Sequence, residues 1–579
     1  MVSSVTNSGN SLLKQRSLSF FYILGFIFII LFFFIPVVKL LYLSFSSENG
    51  LSFNHYIEVL QNPVTWKTIY HTLLIVTGST IIAVILGVFT AWLVAYTNIR
   101  HKHLLQVLIF LPFVIPSYIT TLAWTQFLGV NGPVAYILNK LPGGLEPINL
   151  YSLTGIIIVM GFSHYPLVYL LTVGVLRKIP RELEMAAKVS GGSSFTAFLK
   201  VTMPLALPGI ASGGLLAFLA SLDNFGIPAF LGISANIRVL STYIYEQIIG
   251  FGPSAFAKGA TLSVILGMIA IIGTSIQWML LKRTKQFETA REDKDPRIFL
   301  AKKARLLVEM ALWMFLIVTS LIPLLSMAST SLVKAYGLDF TLQNLSLKHY
   351  EFILFSSSKT QEAILNSLKL AFITTVFGLV IGTFIAYLRV RKPSFFNKTM
   401  EVIVGIPFAL PGTVMALAMI FTWLEPLPGW NPGIYGSIWI LYIAYFTRFL
   451  ILQIRGSATS LMQVDVSMED AARTSGASAY KKWRKILIPL ILPGLISGAF
   501  LVFLTALTEL TVSSLLWSSG TETIGLVIFN FEQAGYTTHS TAFSTIIVLL
   551  IFIGFMGIFL MQKIWERRVF LNGNRNYKS

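Results

Sequence analysis

Residues 185–210 read MAAKVSGGSSFTAFLKVTMPLALPGI, and residues 470–495 read DAARTSGASAYKKWRKILIPLILPGL. The two stretches superpose at a constant offset of 285 through Ala186/Ala471, Gly191/Gly476, Pro204/Pro489, Pro208/Pro493 and Gly209/Gly494. Upstream the match resumes at an offset of 295: His71-Thr72-Leu73 against Asn366-Ser367-Leu368, and Gly87 against Gly382. At the same offset Pro112 and Pro116 of LPFVIP fall on Pro407 and Pro411 of IPFALP. Self-similarity on this scale means one structural unit used twice.

The material of each unit is apolar. Of 579 residues 55% are apolar and 12% charged, with 45 Phe and no Cys; mean hydropathy is +0.75. Soluble domains carry roughly 25% charged residues, and cores of ~100–200 residues need polar exteriors that this chain does not have. The chain is an all-α integral membrane protein by this reading. The lack of Cys excludes disulfides, thiolate metal sites and Cys nucleophiles, and the apolar content excludes disorder.

A helix crosses a bilayer core with about 20 mostly apolar residues. Twelve stretches qualify: 20–44, 68–97, 104–127, 151–176, 204–228, 259–281, 306–333, 361–388, 400–424, 433–455, 488–517 and 541–562. The first is too long for a signal-peptide core and lacks a small-residue cleavage site. Transmembrane strands would give short alternating segments instead.

The charges supply the orientation. Net charge is +19, and about 33 of the 43 Lys and Arg fall in alternate loops and the two tails. Positive residues stay cytoplasmic, which predicts an N-in, C-in topology and accounts for the basic excess without nucleic acid. Lys302–Arg305 is a cationic tract able to touch anionic membrane lipid. The expected organisation is a cytoplasmic tail 1–19, a first transmembrane domain 20–281, a charged cytoplasmic linker 282–305, a second transmembrane domain 306–563 and a tail 564–579. Two six-helix halves in the same orientation form a parallel repeat, related by an axis along the membrane normal, with a pathway at their interface.

Both copies of the motif fall in cytoplasmic loops, after the fourth and tenth spans. In the first, Pro180 precedes a short helix whose acidic start favours the macrodipole. Gly191-Gly192, or Gly476-Ala477, then allows a tight turn. An amphipathic segment follows, with Phe195, Phe198 and Val201 or Tyr480, Trp483 and Ile486, and Pro204 and Pro489 are expected to end it ahead of the bilayer. A short helix between two turns can dock in a groove of a soluble partner and pass its motion to the adjoining spans.

This segment resembles the EAA loop of ABC importer permeases, the element that sits in a cleft of the ATPase subunit. The family pattern is Glu-Ala-Ala, three residues, then Gly. Here Met185 and Asp470 stand at the leading position, each preceded by a glutamate, Glu184 and Glu469. The resemblance implies ATPase docking through Glu184, Ala186, Ala187, Gly191 and Pro204 in one copy. In the other it implies Glu469, Asp470, Ala471, Ala472, Gly476 and Pro489. Over about 20–563 the chain looks like the fused two-domain permeases typified by ferric-iron importers, through Gly161-Phe162-Ser163-His164-Tyr165-Pro166, Asp223-Asn224-Phe225-Gly226-Ile227-Pro228, Glu509-Leu510 and Gly520-Thr521-Glu522-Thr523. Thiamine, polyamine and aminoethylphosphonate permeases share much of this pattern. The partners so implied are cytoplasmic ATP-binding subunits, two copies, and an extracytoplasmic solute-binding protein, with the chain in a bacterial cell membrane.

The chain brings no chemistry of its own. It has no Gly-rich phosphate loop ending in Gly-Lys-Ser/Thr and no His-Glu-x-x-His. Ser163 and His164 are adjacent, so on a helix they point about 100° apart, unsuited to nucleophile activation. No cofactor is expected in this chain, ATP being used by the partner subunit; no metal site and no catalytic residue is expected either.

Ionisable groups at membrane depth are costly unless they face protein or water. Asp223 and Asn224 and their repeat-related Thr508 and Glu509, with His164, are the candidates for a translocation pathway. The alternative is interhelical glue, including Arg448 pairing with Glu509. A different class of function stays open at this point: an ion-gradient-coupled carrier, or a membrane scaffold.

Overall fold

The computed structural model describes residues 25–47, 50–141, 146–250, 254–282, 292–425 and 432–576, with side chains at 280, 281, 558, 559 and 561–576 excepted. The expected tail 1–19 and residues 283–291 of the charged linker lie outside the described residues. Helices make up nearly all of what is described; the one hairpin pairs Ser46–Ser47 with Gly50–Leu51.

Among the described residues ten helices are long and apolar enough to cross a membrane, from Gly25–Phe45 through Pro63–Tyr96 and Leu153–Leu176 to Thr537–Gly557. The third and ninth expected spans, 104–127 and 400–424, are not single helices. Lys102–Val114 meets Ser117–Asn139 at 104°, and Phe395–Ala409 meets Gly412–Trp423 at 108°. The cause is the second proline of each LPFVIP or IPFALP. A proline's ring excludes its predecessor from the helical region, and Ile115 and Leu410 are indeed extended, at ψ 132° and 142°.

Four other prolines follow a widened turn and do not stop their helices. Pro204 and Pro489 were expected to end the amphipathic segments, yet the helices run unbroken through Ser194–Asp223 and Ala479–Leu507. Just ahead of each proline the chain makes one widened turn, Phe198–Thr202 or Trp483–Leu487, of π-helical form. A proline donates no N–H and crowds the carbonyl four residues back; a one-residue bulge relieves both faults without a break. The same device stands at Ile30–Phe34 before Pro36 and at Ile317–Leu321 before Pro323. The fifth and eleventh spans end earlier than expected, at Asp223 and Leu507, and the chain restarts as Gly226–Gly232 and Ser513–Leu516.

The described helices fall into two compact units. One holds Phe53–Gln361 and Gly525–Met556; the other holds the described residues of Met1–Ser52, Glu362–Ile524 and Gly557–Ser579. The packing boundaries therefore differ from the repeat boundaries 20–281 and 306–563. In the second unit the leading helix of the chain lies on helices of the second repeat, with Phe32 5.4 Å from Trp423 and Phe26 5.0 Å from Phe396. In the first unit Ile322–Ser331 packs on Ser117–Leu128, and Phe315 lies against Phe162 and Tyr165. Matching aromatic faces, not position in the sequence, decide where each leading span goes.

Glycines repeated in the sequence let the spans touch. A Cβ on Gly87 would lie 2.5 Å from Cβ of Val168, and one on Gly213 2.7 Å from its Cα. In the other unit Gly382 and Gly498 hold the same relation to Gln453, the repeat partner of Val168, at 3.0 Å. Small residues at such crossings let backbones approach where lipid offers no hydrophobic drive.

Candidate functional site: two levers and the breaks in the spans

Each repeat presents a nine-residue helix, Arg181–Val189 or Val466–Thr474, called a lever below. A turn follows, then a second helix that continues into a span. Gly191 and Gly476 make the turn with φ +87° and +76°, a left-handed conformation that costs other residues roughly 1–2 kcal/mol. No atom lies within 4 Å of a Cβ added at either glycine, so conformation and not space demands them. Ser193 and Ser478 restart the chain as N-caps, accepting from the amides of Thr196 and Lys481 at 3.1 and 3.3 Å.

Both levers are two-faced. Met185, Ala186 and Val189 are exposed in the first, and Met468, Asp470 and Ala471 in the second, where Asp470 lies 3.6 Å from Arg473. Glu184 and Ala187, and Glu469 and Ala472, turn inward. The two glutamates of the motif are thus not surface contacts; each is engaged inside its own unit.

Glu184 Oε1 accepts from Tyr96 Oη at 2.6 Å, Thr202 Oγ1 at 2.8 Å and Arg297 Nη1 at 2.9 Å. One carboxylate so ties the lever to the end of the span Pro63–Tyr96, to the bulged turn and to the linker. Glu469 Oε1 accepts from Arg391 Nε at 2.6 Å, and its Oε2 from Lys482 Nζ at 2.8 Å. Its side chain is only 4% exposed. Burial opposes ionisation of Glu469, but the hydrogen bonds and charges of Lys482 and Arg391 outweigh it and hold the carboxyl below the ordinary range.

The described part of the linker is no free tether. Residues 292–300 run along the base of the first lever: Ile298 pairs with Thr97 in a parallel bridge, and the Asp293 amide donates to Arg177 O at 2.8 Å. Arg181 forks onto both oxygens of Asp293 and donates to Asp295 O. This Arg181 contact is the main reason the Asp293 carboxyl titrates below the usual range. Arg297 also donates to Ile179 O and to Tyr96 Oη. Sequence reasoning missed Arg297, Tyr96, Arg391 and Lys482. One signal was available: at the offset of 295, Tyr96 falls on Arg391, so the first copy lacks its own arginine there.

The polar residues at depth also have local partners. His164 Nδ1 lies 2.8 Å from Ser221 Oγ, which is 3.1 Å from Ser79 Oγ, joining three helices. Asn224 Oδ1 accepts from the amide of Ile227 at 3.0 Å. Its repeat partner Glu509 accepts from the amides of Val512 and Ser513 at 2.6 and 3.0 Å. Both side chains therefore cap a restarted helix, where unpaired amides need an acceptor. Thr508 donates back to Leu504 O at 2.8 Å, and Asp223, the last residue of its helix, is half-buried. Among the described residues no group of three or more His, Asp or Glu is arranged to hold a metal ion.

The duplicated bundle, its broken spans and its paired levers define a multi-pass membrane transport component. Residues 83–286 and 378–571 each match the family described as Binding-protein-dependent transport system inner membrane component, and the chain belongs to it. It is 25% identical to the ferric transport system permease protein FbpB of Actinobacillus pleuropneumoniae, covering 90% of this chain and 75% of that protein. It is likewise 25% identical to an Fe(3+)-transport system permease protein of Haemophilus influenzae, over 90% of this chain and 93% of the other. A solved chain of a bacterial alginate ABC transporter is similar at 18% identity and a TM-score of 0.40, covering 47% of this chain and 97% of that one.

Proposed function

We propose that this chain is the membrane subunit of an ATP-driven importer that moves ferric iron inward after delivery by an extracytoplasmic binding protein. The single observation that carries the reading is the pair of levers, each latched by a buried-face glutamate and each followed by a helix that runs unbroken into a span. A push on such a lever passes the glycine turn into a helix that enters the span without a further break. The names of the relatives supply the cargo and the dependence on a binding protein.

Two cytoplasmic ATP-binding subunits dock on the exposed faces of the levers, around Met185, Ala186, Asp470 and Ala471, while Glu184 and Glu469 carry the force inward. Gly191, Gly476, Pro204 and Pro489 shape the transmission, and Ala187 and Ala472 seat the levers. Both termini are cytoplasmic, as the positive-inside rule requires. The breaks at Asp223-Asn224 and Thr508-Glu509, with His164 nearby, border the route, which opens alternately to the two sides. ATP is hydrolysed outside this chain, which carries no cofactor.

The test is uptake of radiolabelled ferric iron, thiamine and putrescine by cells carrying the chain or its Gly191–Pro204 deletion, with membrane abundance measured in parallel. Iron uptake that vanishes while the deleted protein persists in the membrane supports the reading. Uptake of another solute alone reassigns the cargo. Normal uptake by the deletion, or transport in liposomes driven by an ion gradient without nucleotide, overturns it.

A further inference from the structure

A cavity of about 740 Å³ lies between the span Pro63–Tyr96 and the helix that follows the first lever. That size is within the ~300–1,000 Å³ of small-molecule sites. Ile85, Val88 and Phe89 line one wall and Phe195, Phe198 and Ile210 the other. Ile85 and Phe89 are 61% and 55% exposed on a span of high hydropathy, so the mouth opens where the span meets hydrocarbon. The other end is polar, with Lys188, Ser194, Glu184 and Arg297. Between the two ends Trp92 contributes a buried Nε1–H that has no acceptor.

The second repeat places a different set of side chains at the corresponding positions. Trp92, Ala197 and Phe198 correspond to Tyr387, Lys482 and Trp483. There the Trp483 ring lies 4.8 Å from Tyr387, and Lys482 sits over Tyr387 while bonding Glu469. In the first repeat the Trp92 and Phe198 rings meet edge to face at 5.9 Å, and the buried Ala197 puts no long side chain beside them.

We propose that this cavity is a site for one anionic membrane phospholipid. Its acyl chain lies between the span and the lever helix, an ester or phosphate oxygen accepts from Trp92, and the phosphate meets Lys188. The occupant is amphiphilic because the cavity is apolar at the mouth and polar at the lever. It is a membrane lipid because the mouth opens on the hydrocarbon-facing side of a span, and it is anionic because an exposed lysine stands at the rim. The site makes the first lever sensitive to lipid, and it does not depend on which cargo the chain carries.

The test uses the full chain purified in detergent with added phosphatidylglycerol and native mass spectrometry. The expected result is one retained phosphatidylglycerol. Ala197→Lys with Phe198→Trp, which transplants the side chains of the second repeat, is expected to lower retention at least about tenfold, as occupying a pocket does. Lys188→Gln is expected to reduce the preference for phosphatidylglycerol over phosphatidylcholine. Because the double variant could fail to fold, a second measurement reads tryptophan quenching by phosphatidylglycerol brominated in its acyl chain, taken as the difference between the chain and Trp92→Phe. A quenched Trp92 contribution supports the site. Unchanged retention in a folded double variant, or no quenching assignable to Trp92, overturns it.

Discussion

The two levers share a backbone and differ in what fastens it. Each has nine helical residues, a left-handed glycine, a serine cap and a bulged turn ahead of a proline. The second is fastened within its own repeat: Arg391 and Lys482 both reach Glu469, and the aromatic pair Tyr387 and Trp483 covers them. The first has Tyr96 and Ala197 at those places and borrows its cation from the linker, as Arg297. The carboxylate is common to both copies, and its counter-charge comes from a different place in each. The first lever is consequently joined to a segment that the second does not use within the interactions described, and a cavity adjoins it.

The largest difference should come from neutralising the two carboxylates. Glu469→Gln leaves Arg391 and Lys482 facing each other with no counter-ion, and breaking a buried pair in this way costs about 3–5 kcal/mol. Glu184→Gln keeps an acceptor for Tyr96 and Thr202 and leaves Arg297 with Asp293 at 3.8 Å, so the loss is smaller, roughly 1–3 kcal/mol. Thermal unfolding of both purified variants checks the order; a larger loss in Glu184→Gln would break the comparison.

A smaller, one-sided effect is expected from the linker. The chain has no cysteine, so a single Ala187→Cys or Ala472→Cys reports how often each lever lifts. Arg297→Met should raise thiol labelling at position 187 severalfold and leave position 472 unchanged, since Arg297 contacts only the first latch of the two within the interactions described. Equal labelling at both positions would show that the linker restrains nothing in particular.

The smallest effect near neutrality should be that of pH. Asp293 and Glu469 both have carboxyls held below their ordinary values by cations. A group whose folded value is depressed adds stability above its unfolded value and loses it as pH falls through the folded one. The Arg181–Asp293 contact and the Glu469 latch should therefore hold from pH 7 down to about 5 and loosen only below the ordinary carboxyl range near ~4. The same cysteine labels, read across that range, measure it; loosening between pH 6 and 7 would assign the latches to other groups.

Much of the chain was legible because its signals are local. The apolar runs, the alternate basic loops and the repeated glycines and prolines each act within a turn or two of helix. The glycine turns fell where the motif put them, and the family match covers both repeats. Prolines misled in both directions, since one residue type has two outcomes. Pro116 and Pro411 break a helix because the residue before each goes extended, whereas Pro204 and Pro489 are absorbed by a bulge. The candidate pathway residues Asn224 and Glu509 were found by repeat symmetry, but their capping of a restarted helix could not be read from it.

By itself the sequence determined the class of protein, the duplication and the place of each lever, because hydrophobicity and backbone preference are properties of short stretches. Only the tertiary structure decided which leading span packs on which helices, that Arg297 from a charged linker replaces a missing Arg391, and that a cavity lies beside the first lever. Those outcomes depend on side chains separated by roughly a hundred residues or more, whose meeting is set by the shapes and charges of whole faces and is written in no local pattern.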